Sequence, residues 1–283
     1  MTRTILSAVT VGLLSAGLAS AGQQGAPSTK PAPAAERPAA SRASRTAAGH
    51  PDLSGNWTYA IDVAPVALKK VVDGKATTIV IDQSARHRAA ENVPGALAWT
   101  KAPSYKPEFH AKVADLASRE SKVDGVFYCG RPGVPRIGSP RKIIQLPGEM
   151  VFLYEEISGN TFRVIPTDGR KHRADANPSY YGDAVGRWEG DTLIVDTTNF
   201  VEETWFGEDG YFHSDALHVI ERLWRVGDKL AFQVTVDDPK VLAQPWTNFP
   251  HLITPSTVPL EEAPVCREDD GHRLLNLDHH LQR

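Results

Sequence analysis

The sequence lacks the features that mark several large protein classes. Its 283 residues include 31 Lys and Arg against 34 Asp and Glu, so there is no positive surplus to attract nucleic acid or anionic lipid. Glycine-rich phosphate loops, a dinucleotide fingerprint and a G-x-S-x-G nucleophile motif are all missing. Because 21 prolines are scattered along the chain, long uninterrupted helices are disfavoured. The composition therefore predicts a β-rich globular protein with no nucleic-acid partner and no cofactor.

The N-terminal residues predict export. A basic start at Arg3, an apolar run over Ile5–Ala19 and the small residues Ala19-Ser20-Ala21 are typical of a secretory signal, here residues 1–21. The apolar run is too short to span a bilayer, so we expect a periplasmic or secreted protein without membrane insertion. Residues 22–49 have no aromatic or branched aliphatic side chain and are predicted to be a disordered linker. Residues 50–283 then form a single β-barrel-like domain.

Cysteine is nearly absent, with only Cys129 and Cys266. In an oxidising compartment these two residues are expected to form a disulfide. Two separate buried thiols are the alternative.

Three stretches read as β-hairpins. Alternating segments meet at Ser158-Gly159-Asn160, at Gly190-Asp191 and at Gly227-Asp228. Consecutive hairpins favour an antiparallel meander closed into a barrel or half-barrel, preceded by one short helix that starts near Pro107. The segment Leu53-Ser54-Gly55-Asn56-Trp57 resembles the glycine-x-tryptophan signature of lipocalins, which implies a calycin-like barrel. A plain core tryptophan is the other interpretation of Trp57.

Hairpin register selects two candidate catalytic carboxylates. A two-residue turn at Gly227-Asp228 places Glu221 opposite Val234 on an apolar face. A turn at Gly159-Asn160 pairs Ile157 with Phe162, so that Glu155 also points to the apolar side, while Glu156 and Arg163 form an exposed ion pair. Two such glutamates could act as acid and base. Alternatively, one of them is paired with Arg225, or a register slip turns both outward.

Histidines and a set of polar and aromatic side chains complete the predicted site. His213, in the long aromatic loop 199–215, and His172 are candidate proton carriers, although a loop histidine bonded to backbone is an equal alternative for His213. A metal held by His172, His213, His218 and Asp183 lacks the close spacing of metal motifs, so no metal is predicted. The predicted substrate-binding residues are Arg222, Arg170, Tyr180, Tyr181, Asp183, Trp188 and Trp205.

A longer string resembles a family of exported β-rich proteins of environmental bacteria. It includes Cys129-x-x-Pro132-Gly133, Trp188-Glu189-Gly190-Asp191-Thr192-Leu193, His213-Ser214, Glu221-Arg222, Asp238-Pro239 and Pro245-Trp246. The resemblance implies a shared architecture and no particular activity.

Together these features predict an exported enzyme for small organic molecules. It would do cofactor-free acid–base chemistry of the lyase, hydratase or isomerase type in a barrel cavity. The alternative is a lipocalin-like protein that binds a small apolar ligand without catalysis.

Overall fold

Alternating apolar residues and glycine-containing turns form most of the regular structure. The computed structural model describes residues 44–58, 67–72, 75–80, 92–156, 158–262 and 266. The predicted signal peptide and residues 22–43 of the predicted linker lie outside these described residues. Within the described part of the chain, no helix is both long enough and apolar enough to cross a membrane.

The described elements are mainly antiparallel strands. The strands are β1 (Gly55–Asn56), β2 (Ala67–Val72), β3 (Lys75–Val80), β4 (Lys142–Leu146), β5 (Glu149–Tyr154), β6 (Thr161–Pro166), β7 (Asp183–Glu189), β8 (Thr192–Thr198), β9 (His218–Val226), β10 (Lys229–Asp237), β11 (Trp246–Thr247) and β12 (His251–Ile253). The helices are α1 (His110–Ser118) and α2 (Glu120–Val123), with 3-10 turns at Pro107–Phe109 and Gly125–Tyr128. Pro107 begins the first of these turns, and α1 follows directly, as predicted.

Two sheets carry most of these strands, and a separate hairpin pairs β2 with β3. One sheet has four strands in the order β1-β4-β5-β6. The other has six strands in the order β11-β10-β9-β8-β7, with β12 also paired to β10. The second and third predicted hairpins are confirmed, because Glu189 pairs with Thr192 and Val226 pairs with Lys229.

The register predicted for the first hairpin is wrong. Phe162 pairs with Leu153, four residues before the predicted partner Ile157, because the connection between β5 and β6 is longer than two residues. A shift by an even number keeps the same residues on one face, since side chains alternate along a strand. The buried face carries Phe152, Tyr154 and Arg163, whereas Phe162 is 66% exposed.

The four-stranded sheet meets the six-stranded sheet at two places. On one side, the Thr58 amide donates to the Thr254 carbonyl, and the Ser256 amide donates to the Asn56 carbonyl, which continues β1 alongside the chain that leaves β12. On the other side the edges of β6 and β7 pack together, and no ladder of described residues joins them. A Cβ added at Gly186 of β7 would lie 2.7 Å from the Thr167 side chain, just after β6.

The core lies between the two sheets. Trp57 is 1% exposed and its Nε1 donates to the Leu53 carbonyl within this core. The predicted disulfide between Cys129 and Cys266 is confirmed, with the two Cα atoms 5.6 Å apart.

Candidate functional site

A pocket opens at the junction of β6 and β7, and we call it the seam pocket. Its volume is about 370 Å³. Three of the predicted substrate-binding residues, Arg170, Tyr181 and Asp183, contribute to its wall. The full lining consists of Phe162, Arg163, Val164, Pro166, Arg170, Lys171, Arg173, Tyr181, Gly182, Asp183, Ala184 and Val185.

His172 lies beside this pocket between two carboxylates. Its Nδ1 is 3.1 Å from Asp183 Oδ2, and its Nε2 is 3.1 Å from Asp196 Oδ1. The same Asp196 oxygen is 2.7 Å from His218 Nε2. Asp183, His172, Asp196 and His218 therefore form a continuous polar chain that starts at the pocket wall.

Strand pairing brings the residues of this polar chain together. Asp183 begins β7, Asp196 lies near the end of β8 and His218 begins β9, so these three residues lie at the same end of neighbouring strands. His172 comes from the segment between β6 and β7, and the backbone amide of Arg173 donates to Asp183 Oδ2. That bond fixes the segment against the strand.

The hydrogen bonds of this polar chain shift the pKa values of Asp183, Asp196 and His218. Partial burial disfavours the charged forms of Asp183 and Asp196, but hydrogen bonds prevail and hold the pKa of both carboxyls below their usual value. The hydrogen-bonding partners are Arg173 and His172 for Asp183, and His218 and His172 for Asp196. The hydrogen bond to Asp196 raises the pKa of His218, against partial burial. Ionised carboxylates thus flank both histidines.

Most of the cations in the pocket wall are already paired. Arg170 Nε donates to Asp168 at 2.9 Å, and Arg173 Nε donates to Asp183 at 2.8 Å. Lys171 is exposed and makes no ion pair with the described residues. It adds positive charge to the lining that pairs with no carboxylate in the described part of the chain.

A buried ion pair forms the floor beneath the pocket. Arg163 Nη1 lies 2.7 Å from Glu221 Oε2, with the two side chains 4% and 0% exposed. Arg163 also donates to the hydroxyl groups of Tyr154 and Thr197. The prediction that Glu221 lies on an apolar face is confirmed, but its partner is Arg163 from the opposite sheet. The other expected partner, Arg225, bonds instead to the Asp52 carbonyl.

Glu155 does not join Glu221. The expectation that both glutamates point to the apolar interior is wrong. Glu155 continues the row of Val151 and Leu153, which lies on the outward face of the sheet. Glu155 accepts from Arg141 Nε at 2.8 Å and from the Glu261 amide at 2.8 Å. These contacts lower the pKa of the Glu155 carboxyl, the Glu261 amide most of all. The exposed pair predicted between Glu156 and Arg163 is also wrong, since Arg163 is buried.

His213 is buried away from the seam pocket. Its Nε2 lies 2.8 Å from Thr204 Oγ1, and its Nδ1 lies 2.8 Å from the Ser214 carbonyl. Burial lowers the pKa of this imidazole. The arrangement matches the alternative interpretation of His213 as a loop histidine bonded to the backbone.

The remaining predicted binding residues lie outside the pocket lining. Trp188 stacks on His50 at 4.5 Å, and Arg222 lies 3.8 Å from Glu189. Tyr180 lies near Arg131, with 5.8 Å from guanidinium to ring centre, and Trp205 packs in the core near Arg136. The wall of the seam pocket therefore contains three of the seven predicted binding residues.

Sequence reasoning missed Asp196, Lys171 and Arg173. Asp196 carries a usable signal, because an acidic residue directly follows the apolar run Leu193–Val195 within a predicted strand. Extending the register from β8 to β9 would have placed it close to His218. Within the described ranges, no group of three or more His, Cys, Asp or Glu is arranged to hold a metal ion.

Comparisons of the chain with protein-family models, with curated proteins and with solved structures find no match. The functional inference therefore depends on the geometry of the seam pocket alone.

Proposed function

We propose that this protein is an enzyme that does cofactor-free acid–base chemistry on a small organic molecule in the seam pocket. His172 is the proton carrier, and the reaction is of the lyase, hydratase or isomerase type. The observation that carries this proposal is the position of His172, whose two ring nitrogens each face a carboxylate at the edge of a pocket of about 370 Å³.

The carboxylates give His172 the properties that a proton carrier needs. They fix the orientation of the imidazole and compensate its positive charge when both nitrogens are protonated. Asp183 is part of the pocket wall and is hydrogen-bonded to His172 Nδ1, so a proton passes between His172 and a bound substrate by way of the Asp183 carboxylate. The Asp196 oxygen that faces His172 is also hydrogen-bonded to His218 of β9, which holds the second carboxylate in place.

The other predicted catalytic residues take supporting roles in this proposal. Glu221 positions Arg163, whose side chain contributes to the pocket wall. Glu155 and His213 lie outside the pocket and stabilise the chain locally. The proposed enzyme thus uses a single imidazole in place of a pair of glutamates.

The pocket also agrees with a finer description of the fold. We propose that the strands from β6 through β1 and β12 to β7 form a calycin-like half-barrel whose open edge is the seam pocket. The hydrogen bonds between residues 56–58 and 254–256 support this continuity. Export to the periplasm or the medium is part of the same proposal, and the Cys129–Cys266 disulfide is compatible with it.

A screen of small organic acids and their unsaturated or hydroxylated derivatives tests the function. For a compound that the protein converts, we expect His172→Gln to reduce kcat at least about 100-fold, the loss typical for a general acid or base. His110→Gln, a histidine outside the seam pocket, is the matched control and should keep the rate. Equal rates for His172→Gln and the unaltered protein would overturn the proposal.

Binding without catalysis is the second candidate. Phe162, an aromatic ring 66% exposed in the pocket wall, favours a site that holds the apolar part of a ligand. In that case a tightly bound compound would leave the protein chemically unchanged, and neither the unaltered protein nor His172→Gln would form any product. Mass analysis of a bound compound before and after long incubation separates the two candidates.

A further inference from the structure

The outward face of the four-stranded sheet is unusually apolar. Phe162 is 66% exposed, Val164 47%, Leu146 44% and Ile144 36%. Isolated exposed apolar residues are common on protein surfaces, but a contiguous group marks a binding surface. These residues belong to neighbouring strands, so their contiguity follows from the register.

The register joins these side chains into a track. Ile144 pairs with Val151, and Val151 pairs with Val164, so one row crosses β4, β5 and β6. Leu153 pairs with Phe162 in the adjacent row. Because neighbouring strands lie about 4.8 Å apart, a track across three strands is about 10 Å long. Phe162 and Val164 also line the seam pocket, so the track ends in it.

The charge at the pocket end favours a single negative group. Arg163, Arg170 and Arg173 are each paired with a carboxylate, which leaves Lys171 as the cation of the lining without an ion pair among the described residues. One uncompensated positive charge at the end of an apolar track is complementary to a molecule with one negative head and an apolar tail.

We propose that the seam pocket and the apolar track together bind a monomeric amphiphile that has one anionic headgroup and an apolar tail about 10 Å long. The headgroup lies near Lys171, and the tail lies over Phe162 and Val164. This inference rests on the proposed function in one respect, because it names the class of substrate for the same site. The binding itself can be measured without turnover.

A free amphiphile fits better than a membrane surface. Binding to an anionic bilayer relies on several unpaired basic residues acting together, and the protein carries a net charge of −3. The pocket is a recess, with most of its cations engaged by carboxylates. These features suit one headgroup held at a defined place.

Isothermal titration with decanoate below its micellar concentration tests the inference. We expect one binding site, at least tenfold weaker binding of the neutral analogue 1-decanol, and at least tenfold weaker binding of acetate, which has no tail. Phe162→Ser and Lys171→Gln should each weaken decanoate binding at least fivefold. Phe162 is mostly exposed, so its replacement leaves the core intact.

Two surface substitutions are matched controls. Leu97→Ser removes another exposed apolar side chain, 43% exposed, and Lys101→Gln removes another exposed cation. Both should bind decanoate as the unaltered protein does. Unchanged binding in Phe162→Ser and Lys171→Gln, equal affinity for 1-decanol, or association only with vesicles that contain phosphatidylglycerol would each overturn the inference.

The same experiment separates this inference from the proposed enzyme. If decanoate binds with the expected dependence on Phe162 and Lys171, while no amphiphilic acid is ever converted, the binding inference stands and the proposed function fails. If His172→Gln abolishes conversion of a short, tail-free acid and decanoate does not bind, the function stands and this inference fails.

Discussion

Replacing Glu221 tests the buried ion pair between the two sheets. Glu221→Gln removes the carboxylate and leaves the Arg163 guanidinium buried with its charge uncompensated. Both side chains are almost entirely out of water, and breaking such a pair typically costs about 3–5 kcal/mol. We therefore expect the free energy of unfolding to fall by that amount, although glutamine differs from glutamate only in having an amide NH2 in place of one carboxylate oxygen.

A double-mutant cycle isolates the interaction. Arg163→Met alone also destabilises, because Glu221 is left buried and the hydroxyls of Tyr154 and Thr197 lose a donor. The double variant removes both charges, so its loss should be smaller than the sum of the single losses by at least about 2 kcal/mol. Urea unfolding followed by tryptophan fluorescence at pH 7, with the disulfide intact, measures all four proteins.

Glu155→Gln is the matched control for this cycle. Glu155 is also paired with an arginine, but its side chain is 27% exposed, so its loss should cost less than about 1 kcal/mol. A cost below about 1 kcal/mol for Glu221→Gln, or strict additivity in the cycle, would refute the ion pair as a structural element.

Three further predictions concern pH and the disulfide. Burial, followed by nearby carboxylates, raises the pKa of Glu208 to about 7. The folded state favours neutral Glu208, so the stabilising contribution of this group is complete below pH 4.5 and is lost as pH rises through about 7. Because glutamine does not titrate, Glu208→Gln should flatten the decrease of the melting temperature over this pH range. The hydrogen bond to Asp196 raises the pKa of His218. This bond stabilises the folded state below pH 6.5, and the stabilisation is lost as pH rises through the folded-state pKa of His218. Asp196→Asn should therefore lower the His218 pKa in an NMR titration. Reducing the Cys129–Cys266 disulfide, which closes a separation of 137 residues, should cost about 4–5 kcal/mol in urea unfolding.

The first of these predictions has a matched control, and each of the three has a contrary result. Glu203→Gln, at an exposed position of the same loop, should leave the melting profile unchanged, and a profile that still falls in Glu208→Gln would contradict the first. An unchanged His218 titration in Asp196→Asn would contradict the second. For the third, a urea midpoint that does not respond to reductant would be the contrary result.

The success of the sequence-based prediction depended on the turns. The hairpins at Gly190-Asp191 and Gly227-Asp228 have two-residue turns, so their registers followed directly from pairing outward from the turn. The hairpin between β5 and β6 has a longer connection, and the same rule therefore misplaced its register by four residues. Because four is even, the residues that share a face were still grouped correctly, but the face that was expected to be the apolar interior is the outward one.

The candidate site was harder to predict because it depends on contacts between separate parts of the chain. His172 and Asp183 could be selected from the sequence as polar residues near one turn. Asp196 and His218 join them only through the pairing of β8 with β9. Arg163 was assigned to the surface because the predicted register paired it with Glu156 on the face opposite the apolar side chains, whereas the partner that allows its burial, Glu221, comes from another sheet.

Chemical rescue tests the central claim, that His172 carries the proton, most directly. His172→Gly removes the imidazole and leaves space for an added one, so turnover of a converted acid should fall at least about 100-fold and then rise with the concentration of imidazole in the buffer. His110→Gly should show neither the loss nor the rescue. Turnover by His172→Gly at the rate of the unaltered protein would contradict the account.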